Sequence, residues 1–272
     1  MLKNILAIVD CGDNDAQFVK NAEGFARRYD AYLTLLIVST IPSPDYELEL
    51  HEPYVRLSNF MERLKAKQER LSSLVHDGGS ELRTLQAVTP SLIERVPVHA
   101  RYSDLVLFGP DTAYRSPWLR KQLVEAVAMN SGRPLLMVPD AYTPRKVHHL
   151  AVGWNASREA TRAVNDSLIL AVPGARIDVM TINAHPHVHG HGDQPGADIA
   201  LHLAKHGFAV DVVNVSSAEG STSEALIDHA NDRKADLLVI GAYAHSRLRN
   251  FILGGVTLDL MPGPPILTLF SH

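Results

Sequence analysis

Short apolar runs alternate with amphipathic patterns along the first 140 residues. The apolar runs have the length of strands, and the stretches between them carry apolar residues at helical spacing. The predicted strands are 3–9, 31–38, 82–88, 104–108 and 134–138. The predicted helices are 14–29, 54–76, 91–101 and 117–130. This alternation predicts a parallel sheet with helices on both faces.

The remainder of the chain shows the same alternation. The predicted strands are 147–153, 175–182, 208–215, 236–240 and 265–270. The predicted helices are 157–171, 196–206, 222–233 and 248–260. A connector at 140–146, which contains Pro144, separates the two series.

Three matches indicate an internal repeat. Residues 104–109 and 236–241 both read as an acidic residue, four apolar residues and a glycine. Collinear matches join 133–138 to 264–269, and the opening strand near residue 10 to the one near residue 155. Because their order is the same in both halves, coincidence is improbable. The sequence therefore predicts an α/β fold of two tandem doubly wound five-stranded parallel-sheet domains, 1–140 and 147–272.

Composition narrows the function classes. The chain is 46% hydrophobic and 21% charged, and its 26 basic and 30 acidic residues give a formal net charge of -4. That balance supplies no field for holding a nucleic acid backbone. A single cysteine, the lack of a signal-peptide pattern and the lack of an apolar stretch of about 20 residues predict a cytoplasmic protein without a membrane partner.

The predicted ligand position lies where the first and fourth strands of each domain end. In the second domain these ends carry Asn155 and Gly241, and the loop after Gly241 leads to a Gly-Gly-Val-Thr segment, 254–257. Paired glycines let backbone amides approach an anion closely, and Thr257 adds a hydroxyl donor. These residue types suit a polyphosphate.

The spacing of Gly241, Ala244 and Gly254 resembles the G-x2-G-x9-G-[S/T] nucleotide loop of the universal stress protein (UspA-like) family. Residues 154–160 are similar to that family's first strand-to-helix turn, and the repeat is similar to its tandem two-domain members. The resemblance implies an adenine nucleotide alpha hydrolase-like fold with strand order 3-2-1-4-5 in each domain. It also implies bound ATP, or AMP or ADP, with Mg.

The resemblance places individual residues along such a nucleotide. Asn155 stands near the adenosine, and Ile182 stands near the adenine wall. The ribose and phosphate path follows Gly241, Ala244, Gly254, Gly255, Val256 and Thr257. Two residues depart from the motif, since Ala244 replaces its second glycine and Gly255 replaces its Ser/Thr. His245, with the nearby arginines, is expected to add positive charge.

The first half departs further from the motif. Asp10 is retained at the end of its first strand, but Gly109 is followed by Pro110 and Asp111. The stretch that corresponds to the paired glycines, 122–124, contains no glycine. We therefore expect a degenerate site in the first domain, which serves mainly in packing.

A histidine-rich loop offers a different chemistry. His185, His187, His189 and His191 alternate along one segment of the second half. In an extended segment, alternate side chains point to one side and could share Zn²⁺, Ni²⁺ or Cu²⁺. The alternative is a flexible polar loop that binds metals only adventitiously.

The leading hypothesis is a nucleotide-responsive stress-tolerance protein that binds ATP in its second domain. No residue set forms a clear general base, so we expect at most slow ATP hydrolysis. The alternatives are a stress-associated interaction protein without nucleotide, and a metal or small-ligand sensor that uses the histidine loop. Edge strands that pair domains in the resembling family imply an intramolecular pseudo-dimer, and a homodimer is a further possibility.

Overall fold

A computed structural model of the protein describes residues 1–41, 53–74, 79–188, 190–216, 222–242 and 255–272. The chain divides into two compact units, Leu2–Arg133 and Pro134–His272, with Met1 assigned to the second. The predicted domains, 1–140 and 147–272, differ from these limits in the placement of residues 134–146, and they remain a prediction.

The described part of the first unit is built around four parallel strands. The strands are β1 (Asn4–Asp10), β2 (Tyr32–Thr40), β3 (Ser80–Ala87) and β4 (Leu105–Phe108). The helices are α1 (Ala16–Arg28), α2 (Pro53–Ser72), α3 (Thr89–Ala100) and α4 (Pro117–Asn130). The hydrogen-bonded order is β3-β2-β1-β4. Residues 5–9 of β1 are all buried apolar side chains, as expected for a central strand covered on both faces.

The second unit has the same alternation of strands and helices. Its strands are β5 (Leu135–Met137), β6 (Val147–Gly153), β7 (Ala171–Ile182), β8 (Ala209–Val215), β9 (Leu237–Gly241) and β10 (Thr268–Ser271). Its helices in the described residues are α5 (Arg158–Ser167), α6 (Ala197–Lys205), α7 (Thr222–Asp232) and α8 (Gly255–Leu260). The order is β8-β7-β6-β9-β10-β5, with every pair parallel except β10 and β5.

The predicted α/β class with parallel sheets is confirmed. Counted along the second unit from β6 to β10, the strand order is the predicted 3-2-1-4-5. In the first unit, β1 to β4 follow the 3-2-1-4 part of that order. Strand β5 belongs to the second unit, where Leu135–Met137 pairs antiparallel with β10. Within the described ranges, no helix is both long enough and apolar enough to cross a bilayer.

The internal repeat has a structural counterpart at the start of each sheet. In the first unit, Asp104 Oδ2 accepts the backbone N–H groups of Lys3 and Asn4 at 2.8 and 2.9 Å. In the second unit, Asp236 Oδ2 accepts the backbone N–H groups of His148 and His149 at 2.8 and 3.0 Å. The acidic residue of the repeated motif therefore has the same role in each unit. It accepts hydrogen bonds from backbone N–H groups at the start of β1 or of β6.

Serine caps fix where two helices near the sheet ends begin. Ser116 Oγ accepts the N–H of Leu119 at 3.2 Å, and Pro117 occupies the first turn of α4. Ser157 Oγ accepts the N–H of Ala160 at 3.1 Å at the start of α5. The caps satisfy N–H groups that the first helical turn leaves unpaired, so α4 and α5 start close to the strand ends.

Candidate functional site

A cavity of about 510 Å³ lies at the carboxyl ends of β6, β7 and β9 in the second unit. Strand β6 pairs with β7 on one side and with β9 on the other. The chain reverses its winding direction at this point, which is where open parallel sheets bind ligands. The loop after β7, the N-terminal part of α7 and four residues of α8 contribute the rest of the lining.

One wall of the cavity is apolar. Met180 and Ile182 of β7, Leu226 of α7 and Ile240 of β9 contribute to it. Gly153 at the end of β6 allows this wall to close, because a Cβ there would lie 2.9 Å from Ile240 Cδ1. The wall offers the kind of surface on which a flat apolar ring system packs.

Asn155 lies directly after β6 and lines the cavity. Its Oδ1 accepts the backbone N–H of Ser157 at 3.2 Å. Ala156 between them has a φ of 54°, a left-handed conformation that the side-chain bond of Asn155 helps to hold. The turn presents Asn155 to the cavity immediately before α5 begins.

Gly241 and Gly255 both line the cavity, but for different physical reasons. A Cβ at Gly241 would lie 2.4 Å from the backbone N of Ala160 and 2.6 Å from the carbonyl carbon of Glu159. The close approach of α5 to β9 therefore requires glycine at 241, whatever ligand is present. A Cβ at Gly255 meets nothing within 4 Å among the described residues, so that position faces open space.

The structure brings six of the predicted nucleotide-site residues to this one cavity. They are Asn155, Ile182, Gly241, Gly255, Val256 and Thr257. The other three, Ala244, His245 and Gly254, lie outside the described residues. Their part in the site remains a prediction.

Sequence reasoning missed Asp259 and Ser223. Asp259 of α8 lines the cavity, and its Oδ2 accepts a hydrogen bond from Ser223 Oγ of α7 at 2.5 Å. Ser223 is buried, with 3% of its surface exposed. Both residues lie on helices, and whether their side chains face the cavity depends on how α7 and α8 pack.

The histidine loop forms part of the same cavity. His185 and His191 line it, whereas His187 is exposed and its Nε2 lies 3.1 Å from Asp193 Oδ1. The extended arrangement that a shared metal ion would need does not form in the described residues, because the N–H of Val188 bonds to the carbonyl of His185 and the chain turns. His189 lies outside the described residues. Within the described chain, no three His, Cys, Asp or Glu residues form a group that could hold a metal ion.

The corresponding crevice of the first unit is occupied by the chain itself. Asp10 ends β1, and its carboxylate accepts the backbone N–H groups of Gly12, Arg115 and Ser116 at 2.8, 2.8 and 3.1 Å. A Cβ at Gly109, at the end of β4, would lie 2.8 Å from Phe18 Cγ. Side chains and backbone therefore fill the space between the ends of β1 and β4.

Tyr114 and Arg120 reinforce this closure. The Tyr114 hydroxyl donates to the carbonyl of Ile8 at 2.6 Å and accepts the N–H of Gly109 at 3.2 Å. Arg120 Nε donates to the carbonyl of Gly109 at 2.7 Å, and its NH1 pairs with Asp111 at 2.6 Å. Burial raises the pKa of the Tyr114 hydroxyl, so it remains a neutral hydrogen-bond donor at physiological pH.

A buried ion pair stands next to the closed crevice. Lys67 Nζ of α2 lies 2.5 Å from Asp15 Oδ2, and both side chains are 1% exposed. Arg70 adds a second contact to Asp15 at 2.6 Å. Burial lowers the pKa of Lys67, and the hydrogen bond to Asp15 opposes that shift. Burial also raises the pKa of the nearby Cys11 thiol, which makes it a poor nucleophile.

A second charged cluster joins β7 to α7 in the second unit. Asp178 of β7 is fully buried, and the Nε2 atoms of His149 and His229 each lie 3.1 Å from its Oδ2. Arg176 and Arg233 pair with the same carboxylate at 3.2 and 3.3 Å. Helix α7 thus contacts the cluster near its C-terminal end and the cavity near its N-terminal end.

Comparisons with known proteins show what the second unit is similar to. Residues 146–262, within the second unit, match the model of the universal stress protein family. A 68-residue stretch is 34% identical to universal stress protein Slr1230 of Synechocystis sp. (strain ATCC 27184 / PCC 6803 / Kazusa). That stretch covers 24% of this chain and 23% of the relative, so less than a quarter of the relative's length is matched.

A solved structure extends the likeness in fold to nearly the whole chain. The crystal structure of a universal stress protein from Archaeoglobus fulgidus DSM 4304 has a TM-score of 0.69 and 14% identity. The match covers 99% of this chain and 98% of that one. Together with the family match, it confirms the resemblance expected from the glycine spacing and the repeat.

Proposed function

We propose that this chain, a member of the universal stress protein family, binds ATP or a related adenine nucleotide in the cavity of its second unit. The adenine packs on the apolar wall that includes Ile182, with Asn155 beside the adenosine. The ribose and phosphates follow Gly241 and the 255–257 segment, and Mg accompanies the phosphates. The first unit, in this proposal, has a structural role.

The observation that carries the proposal is the contrast between the two crevices. In the second unit, a cavity of about 510 Å³ with one apolar and one polar side lies beyond the ends of β6 and β9. In the first unit, the ends of β1 and β4 are bridged by Asp10 and covered by Phe18. Space of the right size and chemistry therefore supports a ligand in the second unit.

Gly255 provides the sharpest variant for testing the proposal. Because a Cβ there meets no described atom within 4 Å, Gly255→Leu is expected to add volume to the cavity lining at little cost to the fold. Gly79→Leu is the matched control, since a Cβ at that first-unit position also meets nothing within 4 Å. Gly241 is unsuitable because any side chain there collides with α5.

Isothermal titration with ATP and Mg²⁺ tests the proposal. The wild type and Gly79→Leu are expected to bind one ATP with equal affinity, and Gly255→Leu is expected to lose binding while melting at a similar temperature. Absence of heat for the wild type at millimolar ATP would overturn the proposal. Unchanged binding by Gly255→Leu would show that the nucleotide does not bind in this cavity.

A further inference from the structure

We propose that Asp259, held by Ser223, is the residue that recognises the ribose hydroxyls of the bound nucleotide and so selects ribonucleotides over deoxyribonucleotides. This inference rests on the proposed function and extends it from a nucleotide in general to a specificity for the sugar.

Asp259 is the only carboxylate among the described residues that line the cavity. A carboxylate accepts hydrogen bonds and donates none, so it complements neutral donors and repels phosphate oxygens. An adenine nucleotide carries its neutral donors on the ribose hydroxyls and on the amino group of the base. Of the nucleotide's own groups, the one next to Asp259 is therefore one of these donors and not a phosphate.

The position of Asp259 selects the ribose over the base. Asp259 lies on α8, one helical turn after Gly255, and residues four apart share a helix face. The apolar wall that suits the adenine is supplied mainly by β7, β9 and Leu226. The carboxylate thus stands on the 255–257 side of the cavity, along which the sugar and phosphates run.

Ser223 prepares the carboxylate for this role. Its hydroxyl donates to Asp259 Oδ2 at 2.5 Å, which ties α8 to the first turn of α7. Ser223 is almost fully buried, so the donor side of this bond is shielded from water, while Asp259 remains exposed to the cavity. A carboxylate whose orientation is fixed before binding loses less conformational entropy when it accepts a hydroxyl.

Asn155 does not supply the same chemistry. Its Oδ1 already accepts the N–H of Ser157 at 3.2 Å, and an amide oxygen carries no full charge. Hydrogen bonds to an ionised acceptor are about twice as strong as those between neutral groups. Asp259 is therefore the stronger acceptor for a sugar hydroxyl.

The experiment compares ATP, 2′-deoxy-ATP and 3′-deoxy-ATP by isothermal titration at one Mg²⁺ concentration. Losing one charge-assisted hydrogen bond weakens binding about tenfold, so the wild type is expected to prefer ATP over at least one deoxy analogue by that factor. In Asp259→Asn and Ser223→Ala the preference is expected to fall to about twofold or less. The preference ratio is the readout, because removing a negative charge changes the attraction for phosphate equally in all three nucleotides.

Asp232→Asn is the matched control, since this exposed residue ends α7 away from the cavity and should keep the wild-type preference. Thermal melts verify that each variant is folded. Wild-type binding of all three nucleotides with equal affinity would overturn the inference but leave the proposed function standing. An effect of Asp259→Asn that disappears in EDTA would assign the carboxylate to the metal ion instead. No binding of any nucleotide by the wild type would overturn both.

Discussion

The carboxylate of Asp10 accepts the backbone N–H of Arg115 at 2.8 Å, and this bond spans the first-unit crevice that a ligand would need. In the second unit, the corresponding Asn155 bonds to Ser157 only two residues away and lines an open cavity. Asp10 therefore closes the crevice of the first unit, whereas Asn155 borders the open cavity of the second.

This difference predicts opposite effects for two matched alanine variants. Asp10→Ala leaves three buried or partly buried N–H groups without their acceptor and is expected to destabilise the first unit by about 3 kcal/mol. Its ATP affinity should match the wild type. Asn155→Ala is expected to cost less than about 1 kcal/mol of stability but to weaken ATP binding severalfold. Denaturant titration and calorimetry measure the two quantities, and a large loss of ATP affinity in Asp10→Ala would contradict the assignment of roles.

Tyr114 predicts a pH dependence of stability. Burial raises the pKa of its hydroxyl above the ordinary value of 10.0, so above pH 10 the unfolded chain releases a proton that the folded chain retains. The stability contributed by Tyr114 is complete below pH 10 and falls as the pH rises further. Tyr114→Phe loses the bonds to Ile8 and Gly109, so we expect a loss of about 1 to 2 kcal/mol at pH 7 and a shallower decline above pH 10.

Urea titrations at several pH values measure this decline. The Cys11 pKa is also raised by burial, so both proteins are best compared with Cys11→Ser in place. Equal slopes above pH 10 for the tyrosine and phenylalanine proteins would show that Tyr114 is not the group responsible.

The Asp178 cluster predicts a large cost for removing one carboxylate. Asp178→Ala leaves Arg176 and Arg233 paired only with the more exposed Asp211, and it removes the contact with His229 of α7. Because these arginines are partly exposed, we expect the second unit to lose about 3 kcal/mol, the lower end for a broken buried pair.

A surface ion pair of the same unit supplies the control for Asp178→Ala. Asp193 pairs with His187, and both side chains are mostly exposed. Asp193→Ala should change stability by less than about 0.5 kcal/mol. The fluorescence of Trp154, measured with Trp118→Phe in place, reports on the second unit in urea titrations. A cost for Asp178→Ala as small as that for Asp193→Ala would contradict the proposed anchoring of α7.

Gly255→Ser is predicted to strengthen nucleotide binding. The resembling family carries Ser or Thr at this position, and the space around Gly255 accepts a side chain. A hydroxyl there can donate to a phosphate oxygen, which is worth about a fivefold gain in ATP affinity. Gly79→Ser is the control and should leave affinity unchanged. Weaker ATP binding in Gly255→Ser, with the fold intact, would place the phosphates elsewhere.

Much of the fold could be predicted because the repeated motif marks the same strand in each unit. The Asp-apolar-Gly strings predicted β4 and β9, and Asp104 and Asp236 bond to the first strand of their units. The domain boundary at residue 140 remains a prediction. The resemblance implied that the last strands of the two halves pair, but an apolar run such as Leu135–Met137 does not reveal the direction of its pairing, which is antiparallel with β10.

The site could be predicted at the strand ends and at the glycine-marked start of α8, but not at Ser223 and Asp259. Asn155, Ile182 and Gly241 reach the cavity because parallel strands end at one edge of the sheet. Asp259 and Ser223 reach it through the packing of two helices, which no local pattern specifies. The alternation of histidines suggested one extended row, but a turn at Val188 directs His185 and His191 to the cavity and leaves His187 exposed.

Thermal unfolding with and without Mg-ATP measures nucleotide binding by the folded second unit. A ligand that binds only the folded state, at 100 times its Kd, adds about 2.7 kcal/mol of stability. Because the cavity belongs to the second unit, we expect ATP to raise the melting temperature followed by Trp154 fluorescence in the Trp118→Phe protein, and Gly255→Leu to abolish that shift. An unchanged transition at millimolar ATP would contradict nucleotide binding by this cavity.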